Sequence, residues 1–389
     1  MNDNESKALL PAGLGDMLPP EAALEARLIE TLMARFAAHG YERVKPPLIE
    51  FEESLLAGAG AAMAPQTFRV MDPISQRMMG VRADITLQVA RIAASRLADM
   101  PRPLRLSYAG QVLRVKGTQL RPERQFAQVG TELIGVDSAH ADAEAVLLAA
   151  AALRGIGVDG LSADLSLPTL VTVLCQALEL APPIVGKLRE ALERKDETAV
   201  ARCFDAKTKT HADLFRALLR AAGPAEKAVA ALRAAPMPGP ARAEADRLAE
   251  AVALIAKSKP ELKLTADPVE YRGWEYQSGV SFTLFAMGVR GELGRGGRYT
   301  TVGNGNAEPA TGFTLYMDTV LEAVAPGSQP PRLYAPVEIG WQALDAWRAK
   351  NFVTVCGLEK VADVKKEARR LNCSHVLIGG QAVALEAGK

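Results

Sequence analysis

Between Pro20 and Gly40 the apolar side chains Leu24, Leu28, Leu32 and Phe36 return every fourth residue. That spacing lines one face of a helix, and Gly40 supplies its stop. The pattern then changes. GYERVKPPLIE predicts a strand broken by Pro46 and Pro47, FRVMD and RMMGVRADI a short hairpin, and Thr86 to Asp99 a helix. An alanine-rich helix is expected from Asp142 to Arg154. From about Pro168 to Ser258 nearly everything has helical composition, with breaks at APP and PMPGP, which reads as a helical insertion. Strand patterns resume at Glu261, run through EYQSGVSFTLF and VRGELGRGGRY, and give way to a last helix from Leu315 to Val324. The proline-rich APGSQPPRLYAP then precedes a tail that reads strand, helix, strand, helix, strand. The expected class is α+β, with a core over 1–325 and a small α/β domain over 326–389.

Gln111 to Leu133, QVLRVKGTQLRPERQFAQVGTEL, predicts two strands around a polar loop. Alternate side chains of a strand face opposite ways. Val112, Arg114 and Lys116 therefore share a face on the first strand, and Gln128, Gly130 and Glu132 share one on the second. If the strands pair through the loop around Arg121 and Arg124, Arg114, Gln128 and Glu132 stand together opposite an apolar face. A cation, an amide and a carboxylate within reach of one another can hold a small zwitterion. The same pattern also suits the wet side of an ordinary hairpin.

Composition narrows the partners. With 46 Lys+Arg against 45 Asp+Glu the net charge is +1, so no global field draws in nucleic acid or an anionic membrane. The longest apolar run, Ala145 to Leu153, falls far short of the roughly 20 residues a membrane span requires, and no secretory signal pattern opens the chain. The four cysteines form no C-x-x-C pair, which argues against a zinc site and fits a reducing cytoplasm. His39, His140, His211 and His375 are isolated from one another, and no metal or cofactor is expected.

Two further motifs carry candidate chemistry. In DPVEYRGWEYQSGVSF, Arg272 offers a fork suited to a carboxylate and precedes a strand bearing Tyr276; a surface charge and a core aromatic are the plainer alternative. GELGRGGRY lacks the spacing of a phosphate loop and reads by default as a tight turn.

The succession PAGLGDMLP, GYERVKPPLIE, VRADIT, the hairpin, RGWEY and GGRY resembles the catalytic core of histidyl-tRNA synthetases, from about Pro11 to Val324. The resemblance implies a class II synthetase fold, an antiparallel sheet flanked by helices, with histidine seated on the sheet. It points to Asp84 and Thr86 for the ligand's amino group, to Gln128 and Glu132 as ligand contacts, to Arg272 and Tyr276 from the histidine signature, and to Tyr299 to close the pocket. Arg114 and Gln277 complete the expected set.

The departures from that family matter as much. Lys116 stands where the second motif has the glutamate that meets adenine, and Asp318 and Thr319 stand where the third motif has glutamate and arginine. Gln277 replaces the signature's second tyrosine, and Asp84 shortens the amino-group glutamate. Losing one positioned donor to a transferring phosphate typically costs about 2.7 to 4 kcal/mol, so the loss of that arginine, together with the adenine-contacting glutamate, speaks against amino acid activation. The tail, with nine Lys+Arg against six Asp+Glu from Arg332 onward, looks like a reduced anticodon-binding domain and gives thin support for tRNA. A kept amino acid pocket, lost ATP motifs and a short tail resemble the regulatory subunits of ATP phosphoribosyltransferase. That resemblance implies a non-catalytic chain in a hetero-oligomer, by family a hetero-octamer, with the short-form catalytic subunit, built on a homodimeric core. L-histidine would be its feedback effector. The alternatives are a synthetase with a divergent ATP site and a free histidine sensor.

Overall fold

The computed structural model describes residues 10–119, 121–206, 208–270, 277–303, 306–325 and 327–386. Arg272 and Tyr276 lie outside the described residues. The chain divides into two compact units, Met1–Ala325 and Pro326–Lys389.

The fourfold repeat near the start forms helix α1 (Glu21–Ala38), which buries Leu28, Leu32, Met33 and Phe36. Removing each such side chain from water contributes about 2 kcal/mol. The helix ends where Gly40 takes φ +81° and its N–H, with that of Tyr41, closes on the carbonyls of Ala37 and Phe36.

After β1 (Glu42–Arg43), the prolines end the expected strand. The chain then builds a three-stranded sheet rather than a two-stranded hairpin: β2 (Ile49–Phe51) and β3 (Phe68–Met71) both pair with β4 (Met78–Val81), and α2 (Glu52–Leu55) lies between the first two. Helix α3 (Thr86–Ser95) stops four residues short of Asp99. It is followed by β5 (Leu104–Leu113) and β6 (Gln125–Ile134), and then by α4 (Ala139–Gly155), which Ser138 caps by accepting from the Ala141 N–H.

Strand β7 (Leu161–Ser166) leads into six helices: α5 (Leu170–Ala177), α6 (Pro182–Glu193), α7 (Glu197–Arg202), α8 (Lys209–Arg220), α9 (Ala225–Ala234) and α10 (Gly239–Ser258). A short strand, β8 (Gly223–Pro224), interrupts them between α8 and α9. Strands β9 (Lys263–Asp267), β10 (Gln277–Ala286), β11 (Gly294–Gly303) and β12 (Asn306–Tyr316) complete the unit with α11 (Met317–Ala323).

Nine strands form one sheet in the order β1-β5-β6-β12-β11-β10-β7-β9-β8. Its centre is antiparallel, while β1 runs parallel to β5 and β7 parallel to β9. One face carries the large core, in which α1, α4 and the helices after β7 pack on Val129, Phe282, Leu284, Phe313 and Leu315. Part of the opposite face is covered by α3 through Val89 and Ala93, with Ile85 just before the helix. Neither face of β6 is wet: every residue from Phe126 to Ile134 is buried. The strand pairing overturns two sequence expectations. GELGRGGRY is not a tight turn but leads into β11, and Leu315 and Tyr316 belong to β12, leaving a shorter final helix.

In the second unit, β13 (Arg332–Ala335), β14 (Val353–Cys356) and β15 (His375–Ile378) are parallel, with α12 (Asp345–Arg348) and α13 (Val364–Arg370) between them. A fourth, antiparallel strand, β16 (Gln381–Ala384), extends the expected pattern. It returns through Gly379 and Gly380, both at positive φ, a two-residue hairpin turn that the Gly-Gly pair signals.

Candidate functional site

The register places Gln128 and Glu132 of the Gln111–Leu133 hairpin on the α3 side of the sheet. Gly110 pairs with Gln128, Tyr108 with Gly130 and Leu106 with Glu132; β12 sets Thr314 against Gly130 and Gly312 against Glu132; β11 sets Tyr299 against Ala310 and Arg295 against Thr314. Side chains two residues apart on each strand thus converge on one patch. Gly312 is required there by proximity: a Cβ would sit 2.0 Å from Glu132 Oε2.

Thr86, Glu132, Gln277, Arg295, Tyr299 and Thr314 line a small cavity over that patch. Glu132, 1% exposed, accepts from the Tyr299 hydroxyl at 2.9 Å and from the Tyr108 hydroxyl at 3.3 Å. Tyr108 also bonds Thr314 Oγ1 at 2.6 Å and Thr86 Oγ1 at 3.1 Å. Directly behind, Gln128 donates to Asp84 Oδ2 at 2.9 Å and accepts from the Ile85 N–H at 3.1 Å, while Asp84 Oδ1 accepts from the Thr86 N–H. That last bond fixes the start of α3 and aims the Thr86 hydroxyl at the cavity.

Of the expected ligand set, Thr86, Glu132, Gln277 and Tyr299 line the cavity, and Asp84 and Gln128 form its supporting layer. Arg114 stands apart. Strand β5 ends at Leu113, and beyond it the Arg114 guanidinium turns to the Ala83 carbonyl and the Phe126 ring, 5.0 Å from its centroid. Sequence reasoning misses Arg295, because its glycine-rich surroundings read as a turn. The signal that could have found it is period two: Arg295, Gly297 and Tyr299 share a strand face.

The electrostatics select for a ligand that brings positive charge. Burial pushes the Glu132 carboxyl up to about 8; the hydroxyls of Thr86 and Tyr299 oppose that, and the Asp84 carboxylate adds to it. Burial, Glu132 and Asp84 together raise the Tyr108 phenol well above its ordinary range. An ammonium or imidazolium placed against Glu132 relieves this cost, so the chemistry is recognition of a small cation or zwitterion.

The neighbouring cleft is differently built. It opens between Met17, Glu25, Arg121, Phe126, Asp318 and Thr319. The Arg121 guanidinium carbon sits over Tyr316, 3.9 Å from the ring centroid. It donates to Asp318 Oδ2 at 2.7 Å, to Thr319 Oγ1 at 3.1 Å and to the Glu292 carbonyl at 3.2 Å. The two positions that depart from the third synthetase motif therefore anchor an internal arginine. Burial raises the Asp318 carboxyl while Arg121 opposes the rise, and burial together with Asp318 raises Glu25. Lys116 is exposed. Asp16, Glu21, Glu25, Glu123, Asp318 and Glu322 line this cleft against Arg121 and Arg290, an acidic excess that disfavours a polyphosphate.

Comparison with known proteins gives the family. A family model of histidyl-tRNA synthetase matches residues 13–320. The ATP phosphoribosyltransferase regulatory subunit of Rhodospirillum centenum is 58% identical over 97% of this chain and 96% of its own length. That of Paramagnetospirillum magneticum is 56% identical over 97% and 98%. The chain belongs to the ATP phosphoribosyltransferase regulatory subunit family. A Bacillus halodurans structure described as an ATP phosphoribosyltransferase regulatory subunit/histidyl-tRNA synthetase superposes with a TM-score of 0.80 at 23% identity, covering 93% of this chain and 96% of that one. Histidyl-tRNA synthetase from a Nostoc species gives 0.77 at 16% identity, covering 95% and 91%. These two establish the class II synthetase-like fold. Regulatory-subunit family members are named for control rather than catalysis, and the ion-paired cleft of this chain accords with a non-catalytic role. Among the described residues, no helix is long and apolar enough to cross a membrane.

Proposed function

We propose that this chain is the histidine-sensing subunit of a short-form ATP phosphoribosyltransferase. It assembles with the catalytic subunit in a hetero-oligomer, is required for the partner's activity, and conveys feedback by L-histidine in the first step of histidine biosynthesis. Phosphoribosyl transfer, a glycosyltransferase reaction, belongs to the partner. The observation that carries this reading is the contrast between the two neighbouring sites. The cavity keeps Glu132 and Tyr299 on the sheet face and Thr86 at the start of α3, whereas in the cleft Asp318 and Thr319 are bonded to Arg121.

The role of the cavity is linkage. Histidine binding favours a less active assembly, and the coupling free energy, typically about 1 to 3 kcal/mol, acts equally on effector binding and on the quaternary equilibrium. The α-ammonium or the imidazole supplies the positive charge that Glu132 and Asp84 require. Arg272, Tyr276 and Gln277, expected from the resemblance, and Arg114, expected from the hairpin face, remain part of the proposed ligand set.

The test is reconstitution. The short catalytic subunit from the same organism is assayed for ATP-dependent phosphoribosyl transfer with and without this chain, and with and without histidine. Activity that depends on this chain and falls with histidine supports the reading. An indifferent transferase, together with histidine-dependent ATP–pyrophosphate exchange by this chain alone, overturns it in favour of a synthetase.

A further inference from the structure

A free amino acid presents a carboxylate as well as a cation, and a site that distinguishes it from the corresponding amine must meet that carboxylate. Glu132 and Arg295 are the charged side chains among the described residues that line the cavity. They stand on the same face of the sheet, Glu132 on β6 and Arg295 on β11, with Gly312 and Thr314 of β12 between them. Opposite charges separated by one strand match the two ends of a small zwitterion. Gly312 keeps the floor between them open, since a Cβ there would meet the Glu132 carboxylate.

Arg295 is not idle. Its Nε donates to Oε2 of Glu292, and the other oxygen of that carboxylate, Oε1, lies 3.7 Å from Arg121 Nη1 in the neighbouring cleft. Glu292 thus bridges two guanidinium groups, one in the cavity and one in the cleft. Arginine's planar fork carries more donors than one carboxylate oxygen uses.

We infer that Arg295 recognises the carboxylate of the bound amino acid, exchanging its bond to Glu292 for one to the ligand, and that Glu292 is the competing anion that sets this affinity. The inference rests on the proposal that the cavity binds histidine. Occupancy then shifts Glu292 toward Arg121, so the cleft's ion-pair group registers that the cavity is filled.

The experiment measures L-histidine and histamine, the same molecule without the carboxylate, by calorimetric titration of the full chain. Wild type, Arg295→Met, Arg295→Lys and Glu292→Gln are compared. Wild type is expected to prefer histidine. R295M is expected to weaken histidine by about 10- to 100-fold, the range of a hydrogen-bonded charged pair, while leaving histamine within about threefold. R295K should fall between, because it keeps the charge and loses the fork. E292Q should strengthen histidine severalfold. If R295M and R295K keep the full wild-type preference for histidine, the carboxylate is read elsewhere and this inference fails while the histidine reading stands. A wild type that binds neither compound overturns both.

Discussion

Glu132 is costly to keep where it is, and replacing it with its neutral isostere should reveal that cost. In the unfolded chain its carboxyl titrates near 4.5; in the folded chain burial moves it up to about 8. Below the lower value the group is protonated in both states and contributes no penalty. Between the two values the folded protein holds a proton that the unfolded chain has released, so stability falls as pH rises. Above about 8 the carboxylate is ionised in both states and the penalty levels off at about 5 kcal/mol. From pH 5 to pH 9 the loss from this group amounts to about 4 kcal/mol. The groups facing it are Asp84, Tyr108 and Tyr299, with Arg295 lining the same cavity. Glu132→Gln keeps the shape and can still accept from Tyr299, so it should be folded at pH 7 and more stable than wild type at pH 8 to 9. Urea denaturation of both proteins across this range is the assay. Wild type should lose stability with rising pH and E132Q should be flatter by about that amount. Superimposable pH profiles would refute the reasoning, because they would mean Glu132 is not strained by desolvation.

Three other substitutions bear on the same face and its supports. Asp318→Ala leaves the Arg121 guanidinium without its 2.7 Å carboxylate partner and is expected to destabilise the chain by about 2 to 4 kcal/mol in thermal melts. Gly312→Ala drives a methyl group into Glu132 Oε2; histidine affinity measured by calorimetry should fall at least about tenfold, with stability lower by about 1 to 3 kcal/mol. Arg298→Ala removes the nearer partner of Asp142, a 2.7 Å pair whose carboxylate side chain is 1% exposed, leaves Arg247 at 3.9 Å, and should cost about 1.5 to 3 kcal/mol in denaturant unfolding.

What the sequence discloses and what it withholds have different physical origins. The α1 face and the two faces of the Gln111–Leu133 hairpin follow from local periodicity, and there the register agrees: Gln128 and Glu132 do share a face. Whether that face is wet is a non-local fact. It depends on α3 arriving from another part of the chain to bury it through Val89, with Ile85 just before the helix, and no alternation within the hairpin records this. Arg298 and Arg295 sit three residues apart in one glycine-rich stretch, yet one closes a buried pair on α4 and the other lines the cavity. Once the stretch is taken for a turn, neither role is visible. Arg121 lies in the polar loop of the hairpin, and its attachment to Asp318, 197 residues later, becomes visible only when the strands are paired. Leu315 and Tyr316 read as helix because a short apolar run carries no period of its own; pairing with β6 decides for strand.

The central claim is that this cavity is the place from which histidine controls the partner enzyme. Its most direct test is the histidine inhibition curve of the reconstituted transferase, recorded with wild-type chain and with Glu132→Gln. The account predicts that both chains activate the catalytic subunit equally and that inhibition by histidine is lost, or shifted by at least about tenfold in concentration, with E132Q. Undiminished inhibition by histidine in the E132Q complex would contradict it.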